Sequence, residues 1–337
     1  MIIVTTVLLG MHWYVLAKFK PYMQGAFLPS LIALTLLFPV SSIIERAFYH
    51  WSTRALYYIG SLELGIMFLL FSAFVIVDIL TWIFQLSLPS WYVLAILGFV
   101  IVVALFGMVQ ASKITIVEKT IPFPEDITIL HLTDIHLGAI NGKAFLEKVV
   151  QQSNNVDYDL VLMTGDLYDG SGVVNKDTLE PLQKLTKPVY FVLGNHEQYI
   201  ATQEVLDVLK ELNITVLRDE VVDWQNIQIA GYDHRENDKE LPTLQITKPA
   251  IILFHPPDGI EKLSNMQTPA IQFSGHTHGG QIFPFNLLVR LKYRYVTELH
   301  NIGNNWLFIA NGAGTWGPPL RIGAPPQIGL LHLQKDI

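Results

Sequence analysis

The hydrophobic pattern divides this 337-residue chain near residue 113. Before that point the sequence consists of long apolar runs, and after it short β-rich runs alternate with segments of helix-like periodicity. Long apolar runs predict helices that cross a membrane, because about 20 mostly apolar residues span the hydrocarbon core. The alternation that follows predicts an α/β domain, with two layered sheets flanked by helices.

Four apolar runs predict that residues 1–112 form a bundle of about four transmembrane helices. The third and fourth runs are long enough to span easily, whereas the first two are short. Tryptophan and tyrosine side chains lie near the run ends, as is typical of membrane interfaces. The alternative interpretation is a buried helix bundle in a soluble protein. The runs are Ile2–Leu16, Phe27–Ile44, Leu56–Phe84 and Trp91–Ala111.

Two acidic residues, Glu63 and Asp78, lie inside the third run. An acid within a membrane span is often functional. These two also fit the opposite boundaries of one over-long helix, and we favour that interpretation.

The basic residues beside the runs predict an orientation. Four spans place Lys18 and Lys20 on one side, and Arg46, Arg54 and Lys113 on the other side together with the second domain. Because basic residues favour the cytoplasmic side, three against two predicts a multi-pass cell-membrane protein whose second domain is cytoplasmic.

Composition supports this division and excludes several classes of function. The chain is 51% hydrophobic with a mean hydropathy of +0.37, which exceeds the usual value for a soluble protein. Residues 1–112 hold seven of the 51 charged residues, so the net charge of −7 belongs to the second part. An acidic domain is a poor nucleic-acid binder. The absence of cysteine excludes disulfides, thiolate nucleophiles and cysteine-ligated zinc.

The second part is predicted to consist of a linker, 113–125, marked by Pro122 and Pro124, and a domain, 126–337. Strands are predicted at Ile127–Leu132, Leu160–Met163, Val189–Leu193, Ile214–Leu217, Ile227–Ala230, Ile251–Phe254, Ala270–Phe273, Leu307–Ala310 and Ile328–Leu333. Helices are predicted at Lys143–Gln152, Asp177–Leu185, Thr202–Leu212 and Asp258–Asn265.

Five polar stretches follow strand-like runs, where loops can converge in space. They carry only carboxylate, amide and imidazole ligands, which suit Mn, Fe or Zn ions paired across a shared carboxylate. Asp134 and His136, two residues apart, would share a face of extended backbone and reach one ion. The stretches are Asp134-Ile135-His136, Gly165-Asp166-Leu167-Tyr168-Asp169, Gly194-Asn195-His196-Glu197, His255 and Gly275-His276-Thr277-His278.

The ordered set Asp-x-His, Gly-Asp-x-x-Asp, Gly-Asn-His-Glu, His and Gly-His-x-His resembles the calcineurin-like metallophosphoesterase superfamily, over residues 126–334. The segments Gly275–Gln281, Gly312–Gly314 and Gly317–Arg321 resemble its bacterial membrane-anchored branch. The Ser/Thr phosphoprotein phosphatases of that superfamily carry an arginine directly after the second motif. Gly170 stands there in this chain, which argues against a phosphoprotein substrate.

The resemblance implies a role for each motif residue. The first metal would be held by Asp134, His136 and His278, and the second by Asn195, His255 and His276, with Asp166 bridging both. It also implies that His196 is the catalytic histidine and that the carboxylate of Asp169 orients it. The implied cofactors are two divalent transition-metal ions, with Mn favoured over Fe and Zn.

Three residues near the motifs have competing interpretations. His131 lies within a strand and is favoured as a core histidine over a ligand. Glu197 is expected to support its loop rather than to bind metal. Arg321 could contact a substrate phosphate, or equally could bind carbonyl groups or solvent.

The segment Phe283–Val296 mixes apolar bulk with Arg290, Lys292 and Arg294 directly after the last motif. One interpretation is a loop that lies on a bilayer surface at the mouth of the site. The other is an ordinary buried strand whose basic residues face water.

These observations predict a membrane-bound phosphohydrolase that cleaves phosphate mono- or diesters, with lipid-linked phosphates or pyrophosphates among the candidate substrates. Two neighbouring ions could lower the pKa of a shared water, so that hydroxide attacks phosphorus in line. The alternatives are a broad phosphodiesterase merely anchored in the membrane and a non-catalytic metal-binding interaction module. Membrane lipid is an expected partner, whereas nucleic acid is not.

Overall fold

The computed structural model describes residues 2–170, 176–199, 202–235, 242–259 and 268–335. Most of the helix predicted at Asp258–Asn265 lies outside these residues. The chain forms two compact units. The first is Met1–Gln110 with Gly317–Leu320, and the second is Ala111–Trp316 with Arg321–Ile337.

The first unit confirms the predicted apolar helical region. Three of its described helices, α2 to α4, are long and apolar enough to cross a membrane by length and composition. Helix α3 has 34 residues, or about 51 Å at 1.5 Å per residue, which exceeds the roughly 30 Å of a hydrocarbon core. The helices are α1 (Ile2–Phe19), α2 (Phe27–Ala47), α3 (Trp51–Phe84) and α4 (Tyr92–Ala111).

Both acidic residues of α3 contact α1. Glu63 Oε1 lies 3.1 Å from Nε2 of His12, whose side chain is buried. Asp78 accepts a hydrogen bond of 2.7 Å from Lys18 Nζ and another from the Tyr14 hydroxyl. These acids therefore link two helices, a role that the boundary interpretation did not include.

The second unit is built on two sheets of six described strands each. The orders are β1-β12-β2-β3-β4-β5 and β10-β11-β9-β8-β7-β6. The strands are β1 (Thr115–Pro122), β2 (Ile127–Leu132), β3 (Leu160–Thr164), β4 (Val189–Val192), β5 (Thr215–Val216), β6 (Glu220–Trp224), β7 (Ile227–Gly231), β8 (Ala250–Leu253), β9 (Ala270–Ser274), β10 (Glu298–Ile302), β11 (Asn305–Ile309) and β12 (Gln327–Gln334).

The sheets pack face to face through a shared apolar core. Ile129 of β2 and Leu162 of β3 belong to the same buried cluster as Ile251 of β8 and Phe273 of β9. The opposite face of the first sheet is covered by helices, including α5, which contributes Leu146. The fold is therefore the layered two-sheet α/β domain flanked by helices that the sequence predicts.

The second unit contains five described helices. The segment predicted as the helix Asp177–Leu185 is a short α-helix continued by a 3-10 turn, Glu180–Lys184, with Pro181 at its start. The helices are α5 (Lys143–Ser153), α6 (Lys176–Leu179), α7 (Asn195–Tyr199), α8 (Thr202–Glu211) and α9 (Phe285–Lys292).

Several segments differ from the sequence prediction, and β6, β10 and α7 were not predicted at all. Residues 115–122, predicted as part of a linker, form the edge strand β1, which pairs in parallel with β12. Pro122 does not prevent this because it is the last residue of an edge strand. The segment Phe283–Val296 is neither a loop nor a buried strand in its centre, because Phe285–Lys292 is a helix with no buried residue.

Candidate metal centre

The five motif loops leave the carboxyl ends of strands that run parallel within each sheet. Asp134, Asp166 and Asn195 follow β2, β3 and β4, which pair in parallel. His255 and His276 follow β8 and β9, which also pair in parallel. Because carboxyl ends of parallel strands meet at one edge, the stacked sheets bring all five loops together.

The backbone of these loops departs from the extended form assumed in the sequence analysis. Asp134 and His136 have φ values of 49° and 51°, and Asp166 has 52°. His276 and His278 also lie in the left-handed region, at 70° and 51°. Such conformations are costly for residues with a Cβ and concentrate at functional sites.

Asp134, His136 and His278 form the first group of side chains. His278 Nε2 lies 3.2 Å from Asp134 Oδ1 and 2.9 Å from His136 Nε2. All three residues are buried. Their three donor atoms point at one small volume, as ligands of a single ion would.

Asp166 lies between this group and a second one. Its Oδ2 is 3.1 Å from His255 Nε2, 3.8 Å from His136 Nε2 and 4.0 Å from His196 Nε2. Its Oδ1 accepts a hydrogen bond of 3.0 Å from the backbone N–H of His196. Asp166 therefore belongs to two of the groups of ligand atoms that could hold an ion, one with His136 and His196 and the other with His255 and His276. His136 connects the first of these to the group of Asp134 and His278.

The second group joins His255, His276 and Asn195. His276 Nδ1 lies 2.9 Å from Asn195 Oδ1 and 3.1 Å from His255 Nε2. Within each of three overlapping His and Asp groups that could hold a metal ion, the ligand atoms lie within 4.8 Å of one another. The structure thus brings together all seven predicted ligands.

The outward nitrogens of these histidines have partners that orient the inward ones. His255 Nδ1 donates to the Thr164 carbonyl at 2.6 Å, which leaves Nε2 facing Asp166. His276 Nε2 lies 2.7 Å from the Tyr293 hydroxyl, which leaves Nδ1 facing Asn195. Metal-ligating histidines are usually held in this way, so the donor set fits a metal centre.

Electrostatics at the site favours positive charge between the carboxylates. Burial would raise the pKa of Asp166, but the neighbouring His255 outweighs burial and holds the Asp166 pKa well below its usual range. Burial would likewise lower the pKa of His255, yet Asp166 raises it to about 9. For His276 burial prevails and lowers the pKa to about 3. The carboxylates therefore remain ionised in an enclosed site that calls for a cation.

Glu197 links the loops that follow β3 and β4 through three hydrogen bonds. Its buried carboxylate accepts backbone N–H bonds from Asp166 at 2.9 Å, Tyr168 at 3.1 Å and Gly194 at 2.7 Å. Burial, and then repulsion from Asp166, raise the Glu197 pKa to about 7. These contacts agree with the predicted loop-supporting role.

His196 and Asp169 are arranged differently from the expectation. His196 Nδ1 donates a hydrogen bond of 2.8 Å to the backbone carbonyl of Asp169, not to its carboxylate. The carboxylate oxygen Oδ1 lies 3.5 Å from Nδ1 of His136. The Asp169 main chain therefore positions His196, while its side chain faces a predicted metal ligand.

The structure decides between the competing interpretations of two further residues, Arg321 and His131. Arg321 is fully buried, and its guanidinium donates to the carbonyls of Asn311 at 2.8 Å and His278 at 3.0 Å, so it binds carbonyls rather than a substrate. His131 is also fully buried; its Nε2 lies 2.8 Å from Thr164 Oγ1 and its ring packs on Phe273. It is a core histidine.

Sequence reasoning missed two residues that border the site. The His234 ring lies 6.0 Å from that of His255 and 5.9 Å from that of His276, measured between centroids. His234 follows β7, which pairs in parallel with β8, so the rule that located the other loops could have found it. Tyr293 carried no such signal, because it lies 15 residues beyond His278 in the sequence.

Comparison with known proteins adds the following. Residues 127–280 match the family model for the calcineurin-like phosphoesterase. An uncharacterized metallophosphoesterase of Helicobacter pylori is 38% identical over 222 residues, which are 62% of this chain and 60% of that protein. One from Campylobacter jejuni is 36% identical over 271 residues, 76% of this chain and 71% of the relative. A transmembrane protein with metallophosphoesterase domain from Bos taurus is 30% identical over 269 residues, which are 69% of this chain and 60% of that protein. The chain thus spans 60% of the length of two of these relatives.

Proposed function

Because this chain belongs to the calcineurin-like metallophosphoesterase family, we propose that it hydrolyses phosphate mono- or diesters with divalent metal ions bound around Asp166. The observation that carries the proposal is the position of the Asp166 carboxylate, which contributes to two groups of converging ligand atoms. A carboxylate placed in this way can contact two cations at once, so two ions are proposed.

The proposed ligands divide around Asp166. Asp134, His136 and His278 would hold one ion, and Asn195, His255 and His276 would hold the other. These oxygen and imidazole donors suit Mn, Fe or Zn, and we favour Mn. Divalent ions bound there would neutralise charge on the phosphoryl oxygens and lower the pKa of a water.

The remaining chemistry belongs to His196. Its Nδ1 is held by the Asp169 carbonyl, so its Nε2 is directed toward the Asp166 side of the cluster. Burial lowers the pKa of His196. Because the Nδ1 proton is donated to the Asp169 carbonyl, Nε2 can donate a proton to the departing alkoxide, or bind a phosphoryl oxygen, only in the imidazolium form. The negative charge of a bound phosphate ester would favour that form. Asp169 supports the site from behind, through its carbonyl on His196 and its carboxylate near His136.

We propose that the enzyme acts at a membrane surface, as a multi-pass protein of the cell membrane with a cytoplasmic catalytic domain. Helices α2, α3 and α4 have the length and composition of membrane spans. Only three residues, 112–114, separate α4 from β1. Three residues reach at most about 11 Å, which favours substrates in or near the bilayer, including lipid-linked phosphates and pyrophosphates.

A metal-by-substrate screen of the purified full-length protein tests the catalytic proposal. Metal-depleted protein is loaded with Mn, Fe or Zn and assayed on phosphate monoesters, diesters and lipid phosphates, with Asp166→Asn as the blank. Turnover that depends on added metal and is absent from the blank supports the proposal. Protein that binds metal stoichiometrically but turns over none of these substrates would instead favour a non-catalytic interaction module.

The rival enzyme function is a broad phosphodiesterase for which the helices serve only as an anchor. It is favoured if small chromogenic diesters and lipid phosphates are hydrolysed with similar kcat/KM. A strong preference for the lipid substrate would reject it.

A further inference from the structure

The exposed apolar side chains of the second unit are concentrated in one place. Among its described residues from 111 to 335, the large hydrophobic side chains that are exposed all lie at 283–291 or at 316. Leu291 is 84% exposed, the highest value among them. We call this set the α9 surface: Phe283, Phe285, Leu287, Leu288, Leu291 and Trp316.

The apolar residues of α9 form a stripe rather than a scatter. Leu287, Leu288 and Leu291 have the spacing i, i+1, i+4, which places them on one side of a helix. Their exposed fractions are 55%, 56% and 84%, so this side faces away from the domain. Exposed contiguous apolar surface of this kind marks an interaction site.

The α9 surface is fixed to the loop that carries two proposed metal ligands. A Cβ on Gly280, two residues after His278, would lie 2.3 Å from the Asn286 Cα, so the helix packs directly on this loop. At its other end, the hydroxyl of Tyr293 lies 2.7 Å from Nε2 of His276. The surface therefore borders the metal centre and is packed against the loop that carries His276 and His278.

Trp316 brings the same surface to the catalytic histidine. Its backbone N–H donates to Gln281 Oε1 at 3.0 Å, and Gln281 Nε2 donates to the Trp316 carbonyl at 2.9 Å. The Trp316 and His196 ring centroids are 6.3 Å apart, and 53% of Trp316 is exposed.

The basic residues beside the leucine stripe indicate what the α9 surface binds. Arg290, Lys292 and Arg294 are all exposed and lie within five residues of one another beside the leucine stripe, although the chain as a whole has a net charge of −7. Apolar side chains beside basic ones are typical of helices that lie in the interface of an anionic bilayer. An anionic bilayer offers negative headgroups and acyl chains in one surface, so it matches both the basic residues and the leucine stripe.

We propose that the α9 surface docks on an anionic lipid bilayer, with Leu287, Leu288 and Leu291 inserted among the headgroups. Docking brings the mouth of the metal centre to the headgroup level. A phosphate ester at the head of a membrane lipid then reaches His196 without leaving the bilayer. This consequence for the substrate rests on the proposed function, whereas docking itself does not.

Site-specific labelling tests docking on the full-length chain. The chain has no cysteine, so Leu291→Cys provides a single site for an environment-sensitive fluorophore. The labelled protein is placed in nanodiscs of phosphatidylcholine and phosphatidylglycerol containing lipids with a nitroxide near the headgroup. Asn226→Cys is the control, because it is exposed in the turn between β6 and β7, at the opposite end of the parallel strands from the metal centre. Docking predicts quenching at position 291 and none at 226.

Two results would overturn docking. One is equal quenching, or none, at the two positions. The other is quenching at 291 that increases with the number of chains per nanodisc and persists without nitroxide, because that identifies a second copy as the occupant.

Kinetics tests the consequence for the substrate. The double variant Leu287→Gln, Leu288→Gln should lower turnover of a vesicle-borne lipid phosphate ester by about tenfold, since one order of magnitude corresponds to ~1.4 kcal/mol of lost insertion. Turnover of a soluble chromogenic ester should be unchanged. Equal loss on both substrates rejects the proposed delivery. If the wild-type chain hydrolyses neither ester, the proposed function fails, while the label still decides docking.

Discussion

At the scale of single residues, the two oxygens of Asp166 do different things. Oδ1 accepts the His196 backbone N–H, and Oδ2 faces His255 and His136. The backbone contact places His196 next to the carboxylate irrespective of its own side chain. Removing the imidazole should therefore affect chemistry more than metal binding.

We expect His196→Ala to lower kcat by about 10²- to 10⁴-fold, the usual contribution of a general acid, and to leave the metal content unchanged. Steady-state kinetics and elemental analysis of the same preparation measure the two effects. Asp166→Asn is the contrasting variant and should lose metal as well as activity. Wild-type turnover in His196→Ala would remove this residue from the proposed mechanism.

His131 predicts how stability depends on pH. Burial lowers its pKa to about 3, whereas a histidine in the unfolded chain titrates near 6.5. The unfolded state therefore binds more protons below pH 6.5, and this residue costs up to about 1.4 kcal/mol of unfolding free energy per pH unit as pH falls toward 3.

His131→Gln should reduce the loss of thermal stability between pH 7 and pH 5, measured as the shift in Tm. Phe273→Leu, which alters the ring packed against His131, should lower Tm equally at both pH values. An unchanged pH dependence in His131→Gln would contradict the assignment of a neutral core histidine.

The sequence indicated the ligands because each motif combines a strand end with a metal-binding side chain. It could not indicate that the Asp169 carbonyl holds His196, because a backbone carbonyl is present at every residue. Tyr293 escaped for another reason. Its contact with His276 depends on α9 turning back toward the loop. Such a tertiary contact leaves no pattern in the local sequence.

At the scale of elements, the site depends on loops held at defined relative positions. Glu197, the third residue of α7, accepts N–H bonds from the loops after β3 and β4. One carboxylate thus accepts hydrogen bonds from three backbone N–H groups in the loops that carry Asp166 and Asn195.

Glu197→Gln should lower the free energy of unfolding by about 1–3 kcal/mol, because an amide cannot accept with both of its terminal atoms. Glu211→Gln, which removes a mostly exposed partner of Lys176, should change stability by less than about 1 kcal/mol. Thermal or denaturant unfolding of the two variants measures the difference. Equal effects would mean that Glu197 is not a structural link.

Edge elements were the hardest to predict. Strands β1, β6 and β10 lie at sheet edges, and each has a largely exposed or half-buried sequence. Glu220–Trp224 carries two acids in five residues and has no continuous apolar face to recognise. Central strands such as β3, which is buried throughout, were recognised because both of their faces are covered.

At the scale of the whole molecule, the basic residues beside the membrane spans predict the orientation, because three lie on the side of the catalytic domain and two on the opposite side. Single cysteines at Gln24, between α1 and α2, and at Ala144, in α5, should react with a membrane-impermeant maleimide from opposite sides. The predicted result in intact cells is labelling of position 24 and protection of position 144. The reverse pattern would place the catalytic domain outside the cytoplasm.

The position of β12 in its sheet has a consequence for biosynthesis. This strand lies between β1 and β2, yet it is translated almost 200 residues after β2. At about 5–20 residues per second, the ribosome needs roughly 10–40 s to supply it. Throughout that interval the nascent sheet has an open gap with unpaired backbone on both borders. We expect chaperone occupancy on the emerging polypeptide to persist until residue 334 leaves the exit tunnel.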